Sequence, residues 1–129
     1  MRNAELKLGI IILITFLSCL ASAQVEIKFF NKTGYDLDSL QIDNIYIGYL
    51  TMESSTSFIK FNSFVLDTGT PDGNVGALIN GKIMSSPKER DCGTEMKIVK
   101  DGSYLSDIRI SKWGFVDPEI EVIMLTNHW

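Results

Sequence analysis

From residue 25 onward, apolar side chains recur at nearly every second position, and no stretch repeats them every three or four residues for three turns. That period is the period of a pleated strand, so the chain reads as all-β. Val25, Ile27 and Phe29 alternate with Glu26 and Lys28, predicting a half-buried first strand that stops at Asn31-Lys32-Thr33-Gly34. Leu40 and Ile42 face Ile45, Ile47 and Tyr49 across Asp43-Asn44, which predicts a hairpin. The longest strand is expected over Thr56 to Leu66, followed by a loop from Asp67 to Gly76, where turn formers and small polar residues dominate. Asn80-Gly81 predicts a tight hairpin between Ala77-Leu78-Ile79 and Lys82-Ile83-Met84, because both types accept the left-handed backbone that a type I′ turn needs. Ser85 to Gly93, with Pro87 and the charges Lys88 to Asp91, reads as a solvated connection. Met96 and Ile98 are expected to pair across Asp101-Gly102 with Tyr104, Ile108 and Ile110 as a third hairpin. A last strand through Ile120, Val122 and Met124 ends in a frayed tail, Thr126 to Trp129. About eight short strands with regular turn signals point to a small antiparallel β-sandwich, or to a partly open barrel.

The region before the first strand has a different pattern. Arg2 and Lys7 precede the apolar run Leu8 to Leu20, and Ala21-Ser22-Ala23 supplies the small residues that a signal peptidase accepts. Residues 1–23 are therefore expected to be a cleaved signal peptide, and residues 24–129 a single domain starting at Gln24. The run is shorter than the roughly 20 residues needed to cross a bilayer, which argues against a retained transmembrane anchor. The junction resembles those of Gram-negative exported proteins, implying a bacterial protein of the periplasm or the cell exterior. Phe16-Leu17-Ser18-Cys19 partly resembles a bacterial lipobox, and on that alternative Cys19 would carry a lipid anchor.

Charge narrows the choice of partner. The formal charge is −4, and losing the leader, with two cationic residues and one acidic, makes the domain more acidic still. Lysines lie singly between acids, so no basic face exists to track a phosphate backbone, and nucleic acid is not expected as partner. Once Cys19 has left, Cys92 stands alone, so no internal disulfide forms and stability has to come from burial and strand pairing.

Candidate chemistry is sparse. Phe64-Val65-Leu66-Asp67-Thr68-Gly69-Thr70 resembles the active-site loop of aspartic proteases, in which two such loops meet and two aspartates share a proton to activate water. The resemblance implies a homodimeric hydrolase using Asp67. The same string is also what an ordinary turn requires, and that is the reading adopted. Asp67, Asp72 and Asn74 put three oxygen donors in one segment without the spacing of an EF-hand, so no metal is assigned. His128 is the sole histidine and, with Cys92, gives too few ligands for zinc; a Cys92–His128 catalytic pair would require the tail to dock. Asn31-Lys32-Thr33 matches the N-glycosylation acceptor. Trp113-Gly114-Phe115 could present a platform to a sugar or a protein, with Tyr46 and Tyr49 as further aromatic surface. The residues thus indicate a non-catalytic binding module without cofactor, for a protein or glycan partner, with Asp67, Asp72, Asn74, Trp113 and Phe115 as candidate contacts. A component of an envelope or surface assembly is the structural alternative.

Overall fold

The computed structural model describes residues 7, 23–87, 96–113 and 120–128, with Trp113 described by its backbone only. The expected leader apart from Lys7 and Ala23, Cys19 included, together with Cys92, the Lys88 to Gly93 connection, Phe115 and Trp129, lies outside the described residues. No helix among the described residues is long and apolar enough to cross a membrane.

The described residues fold as all-β, in three sheets. The first holds β1 (Val25–Asn31), β4 (Ile59–Phe61), β10 (Gly102–Trp113) and β11 (Ile120–Asn127), in the order β11-β10-β1-β4. The second runs β3 (Ile45–Leu50), β2 (Leu37–Ile42), β7 (Val75–Ile79), β8 (Lys82–Ser85). The third is β6 (Thr70–Asp72), β5 (Phe64–Asp67), β9 (Met96–Val99). Alternation does what the sequence pattern demands: along β1, Val25, Ile27, Phe29 and Asn31 are buried while Glu26, Lys28 and Phe30 are only half-buried. Side chains from all three sheets meet in one apolar core, which includes Ile27, Phe29, Leu40, Phe64, Val75 and Ile108.

The hairpins at Asp43-Asn44 and Asn80-Gly81 form as expected. Several other expectations are corrected. The long strand over Thr56 to Leu66 is two strands that part at Asn62-Ser63, β4 joining the first sheet and β5 the third. Apolar residues on both apparent faces reflect this change of sheet: Phe61, Phe64 and Leu66 all reach the core. The Asp67 to Gly76 loop is largely ordered as strand, since β6 folds back on β5 and β7 starts at Val75. Pro71 disguised β6; it lacks an N–H, and sits in an edge strand where the missing donor costs no ladder bond. The third hairpin does not exist. β9 pairs with β5, and β10 pairs antiparallel with β11 and parallel with β1, from Val25↔Gly102 to Asn31↔Ile108. A tight-turn dipeptide marks a reversal of the chain, and Asp101-Gly102 uses it to pass between sheets. The described residues form eleven strands, and one central pairing among them is parallel.

Asn31 ends β1 as a fully buried amide. Its Nδ2 donates to the carbonyls of Tyr35 (2.8 Å), Leu50 (3.2 Å) and Thr51 (3.1 Å), and its Oδ1 accepts from the Thr33 N–H and hydroxyl. Loops 32–36 and 51–54 are tied together through this one side chain. In the folded chain the nitrogen that would carry a glycan is enclosed and engaged, so a glycan there is incompatible with this corner.

Gly73 shows how closely the third sheet meets the β2–β3 turn. A Cβ there would lie 2.7 Å from Cζ of Phe64 and 3.2 Å from Oδ1 of Asp43. Because Phe64 is a buried core ring, Gly73→Ala is expected to destabilise the fold by about 1–3 kcal/mol. Urea denaturation of the mature domain measures this, and an unchanged midpoint would contradict the contact.

Candidate functional site

The outer face of the second sheet carries an open, largely apolar groove. Strand register explains it. Gln41, Gly76 and Ser85 lie side by side in one row, and Leu78 and Ile83 lie together in the next. Their neighbours Ile42, Val75, Ala77 and Met84 point into the core, so the row faces outward. Gly76 has no side chain, and the row therefore dips at its middle strand. The resulting groove has a volume of about 430 Å³, with Leu78 and Ile83 as apolar wall and Gln41, Asn74 and Ser85 as neutral polar rim. Tyr46 continues the row beyond Gln41 and is 68% exposed. A concave, mostly apolar surface of this size with a few uncharged polar groups can seat a small neutral ligand.

Of the residues singled out from sequence, only Asn74 lines this groove. Its position is fixed from the backbone: the Asn74 N–H donates to Oδ1 of Asp43 (2.9 Å), and the Asp43 N–H donates to the Asn74 carbonyl (2.8 Å). Asp67 and Asp72 stand instead on the β5–β6 hairpin, where Asp67 pairs with Thr70 and Asp72 with Val65. Thr68 and Gly69 form its two-residue turn, with φ of 47° and 85°. Asp67-Thr68-Gly69 thus serves as a turn, and Oδ1 of Asp67 is enclosed with no hydrogen-bond partner among the described residues. Among those residues no group of three or more His, Cys, Asp or Glu side chains is placed to hold a metal ion. Trp113 and Phe115, as the expected aromatic platform, fall outside the described side chains, whereas Tyr46 and Tyr49 are exposed. Asp36 accepts from the Met52 N–H and from the Tyr49 hydroxyl, both at 2.8 Å. The backbone donor first and the phenol second hold the Asp36 carboxyl below its usual value; the same contact pushes the Tyr49 phenol up.

A second cluster lies on the outer face of the first sheet and includes a residue expected to fray. His128 is docked. Its Nδ1 is 2.6 Å from Oδ1 of Asp107, its ring stacks on Phe30 at a centroid distance of 4.0 Å, and Arg109 Nη2 reaches Oδ2 of Asp107 at 2.7 Å. Asp107 is fully buried. Burial pushes its carboxyl up, but hydrogen bonds from His128 and Arg109, together with their charge, outweigh that and hold it below the usual 3.8. An ionised carboxylate only accepts, so the short contact requires the proton on Nδ1 and leaves Nε2 as the free ring nitrogen. Sequence reasoning missed this cluster because Asp107 and His128 are 21 residues apart and become neighbours only when β10 and β11 pair.

Comparison of the chain with protein-family models, with curated proteins and with solved structures gave no match.

Two outcomes are expected. Because the folded chain holds Asp107 below its unfolded value, the unfolded chain takes up the proton first. The cluster's contribution is whole above about pH 4 and is lost as pH falls through the lower folded value. Asp107→Asn should cost about 2 kcal/mol at neutral pH and flatten that acid-side loss, read from denaturation midpoints between about pH 2 and pH 7. Thr68 is β-branched at positive φ, so Thr68→Asn should stabilise the hairpin by about 0.5–1 kcal/mol, and a loss of stability would contradict its role as a turn residue.

Proposed function

We propose that the protein is an exported, non-catalytic binding module built in layers: the first and second sheets as the two faces of a small β-sandwich, with the third sheet across one end. The shared core of the three sheets supports that arrangement. Export rests on the leader-like residues 1–23, followed at once by the first strand at Val25. The observation that carries the binding reading is the groove over Gly76. Its rim combines the uncharged Gln41, Asn74 and Ser85 with the exposed Asp38 carboxylate beside Leu78, which suits a neutral ligand rich in hydroxyl donors, and its aliphatic wall suits the apolar face of a sugar ring. A neutral glycan is accordingly the ligand class we assign. Use of Asp67-Thr68-Gly69 as the turn of a hairpin supports binding over the protease-like alternative.

Gly76 offers a clean test. A Cβ there would meet nothing closer than the Met84 carbonyl oxygen at 4.0 Å, so a side chain fits the backbone and projects into the groove. Gly76→Val should leave the melting temperature unchanged or raise it, since valine suits a strand interior better than glycine. The same variant should lose binding to the neutral oligosaccharides that the wild-type domain retains on a glycan array. Equal array signals from the two proteins, or no signal from the wild type, would overturn the assignment.

A further inference from the structure

On the opposite outer face, we propose that Arg109, His128 and Lys28 form a second binding site, for a ligand bearing an oxyanion, either a carboxylate or a phosphate group. Three strands build it. β1 supplies Lys28 and Phe30, β10 supplies Asp107 and Arg109, and the residue after β11 supplies His128. Asp107 anchors the arrangement from beneath, one carboxylate oxygen to each partner, and is itself closed to solvent. Its partners are not closed: the side chains of Arg109 and His128 remain 42% and 27% exposed.

The donors left over define the ligand. Arg109 has five N–H groups in a planar fork and uses its Nη2 on Asp107, so among the described residues the rest of the fork stays available to a planar or tetrahedral oxyanion. His128 is held at Nδ1 and by stacking on Phe30, which fixes the ring and leaves Nε2 directed away from Asp107. The ammonium of Lys28 sits 5.6 Å from the centroid of that same Phe30 ring. Among the described residues, Asp107 thus pairs with one permanent cation, Arg109, and with the His128 imidazole, while Lys28 brings a second permanent cation to the Phe30 ring on which His128 stacks. The nearby acid on β1, Glu26, has its own cation in Lys60 at 4.0 Å. Docking His128 needs only Asp107; the remaining N–H groups of Arg109 and the Lys28 ammonium take no part in it and suit anion capture.

The test is an NMR titration of the mature domain in low-salt buffer, with inorganic phosphate and acetate as separate probes and sodium chloride at matched ionic strength as control. Saturable movement of the Arg109 and His128 side-chain signals with phosphate or acetate, absent with chloride, is expected. The tighter probe identifies the ligand as phosphate-bearing or carboxylate-bearing. Lys28→Met, which leaves the Asp107 contacts intact, should weaken that binding by about threefold with an unchanged melting temperature. Arg109→Lys keeps the charge and loses the fork, and should weaken it further. Movement that never saturates, that chloride reproduces, or that both variants leave unaltered would overturn the proposal.

Discussion

Insertion of β1 between β10 and β4 is the constraint on which the rest of the molecule depends. Every second residue of this strand is fully buried, and both of its edges are hydrogen-bonded, in parallel to β10 and antiparallel to β4. Burying Val25, Ile27 and Phe29 contributes about 1.5–3 kcal/mol each, so this one strand is worth a sizeable fraction of a domain's net stability. Its far end is Asn31, whose enclosed amide organises two loops, and its outer face carries Lys28 and Phe30. Core, corner and cationic surface are thus hung on the same seven residues.

The sequence exposed period and punctuation well, and partnership poorly. The alternation through Val25 to Phe29, the Asp43-Asn44 turn and the Asn80-Gly81 turn are local, and each appears where the side chains place it. Asp101-Gly102 is equally local as a turn signal, yet the strands on either side go to different sheets, because pairing is decided by distant partners in Phe64–Asp67 and Val25–Asn31. Parallel pairing leaves no short-range mark at all; it joins segments more than seventy residues apart. Pro71 hid an edge strand, and Asn62-Ser63 hid a corner inside what looked like one continuous strand.

The same asymmetry governs the sites. Asn74 is legible as an oxygen donor in the expected Asp67 to Gly76 loop, but the groove it borders depends on register, which sets Gly76 between Gln41 and Ser85. Asp67 drew notice through a short string whose residues are also good turn formers, and the backbone resolves that string as a turn. His128 was discounted as a chain end. What docks it is a buried carboxylate on the neighbouring strand, and a single-chain reading has no way to weigh a partner that far off.

Asn31 has a practical corollary for making the protein. Its side-chain nitrogen lies within Asn31-Lys32-Thr33, a string that oligosaccharyltransferase modifies on unfolded chains entering a eukaryotic secretory pathway. Attachment there and closure of the corner that this amide holds to Tyr35, Leu50 and Thr51 exclude one another. Material recovered from a yeast or mammalian secretion host would split into a compact carbohydrate-free fraction and a glycosylated one unable to complete its first strand, so a host lacking that machinery is the sound choice for production.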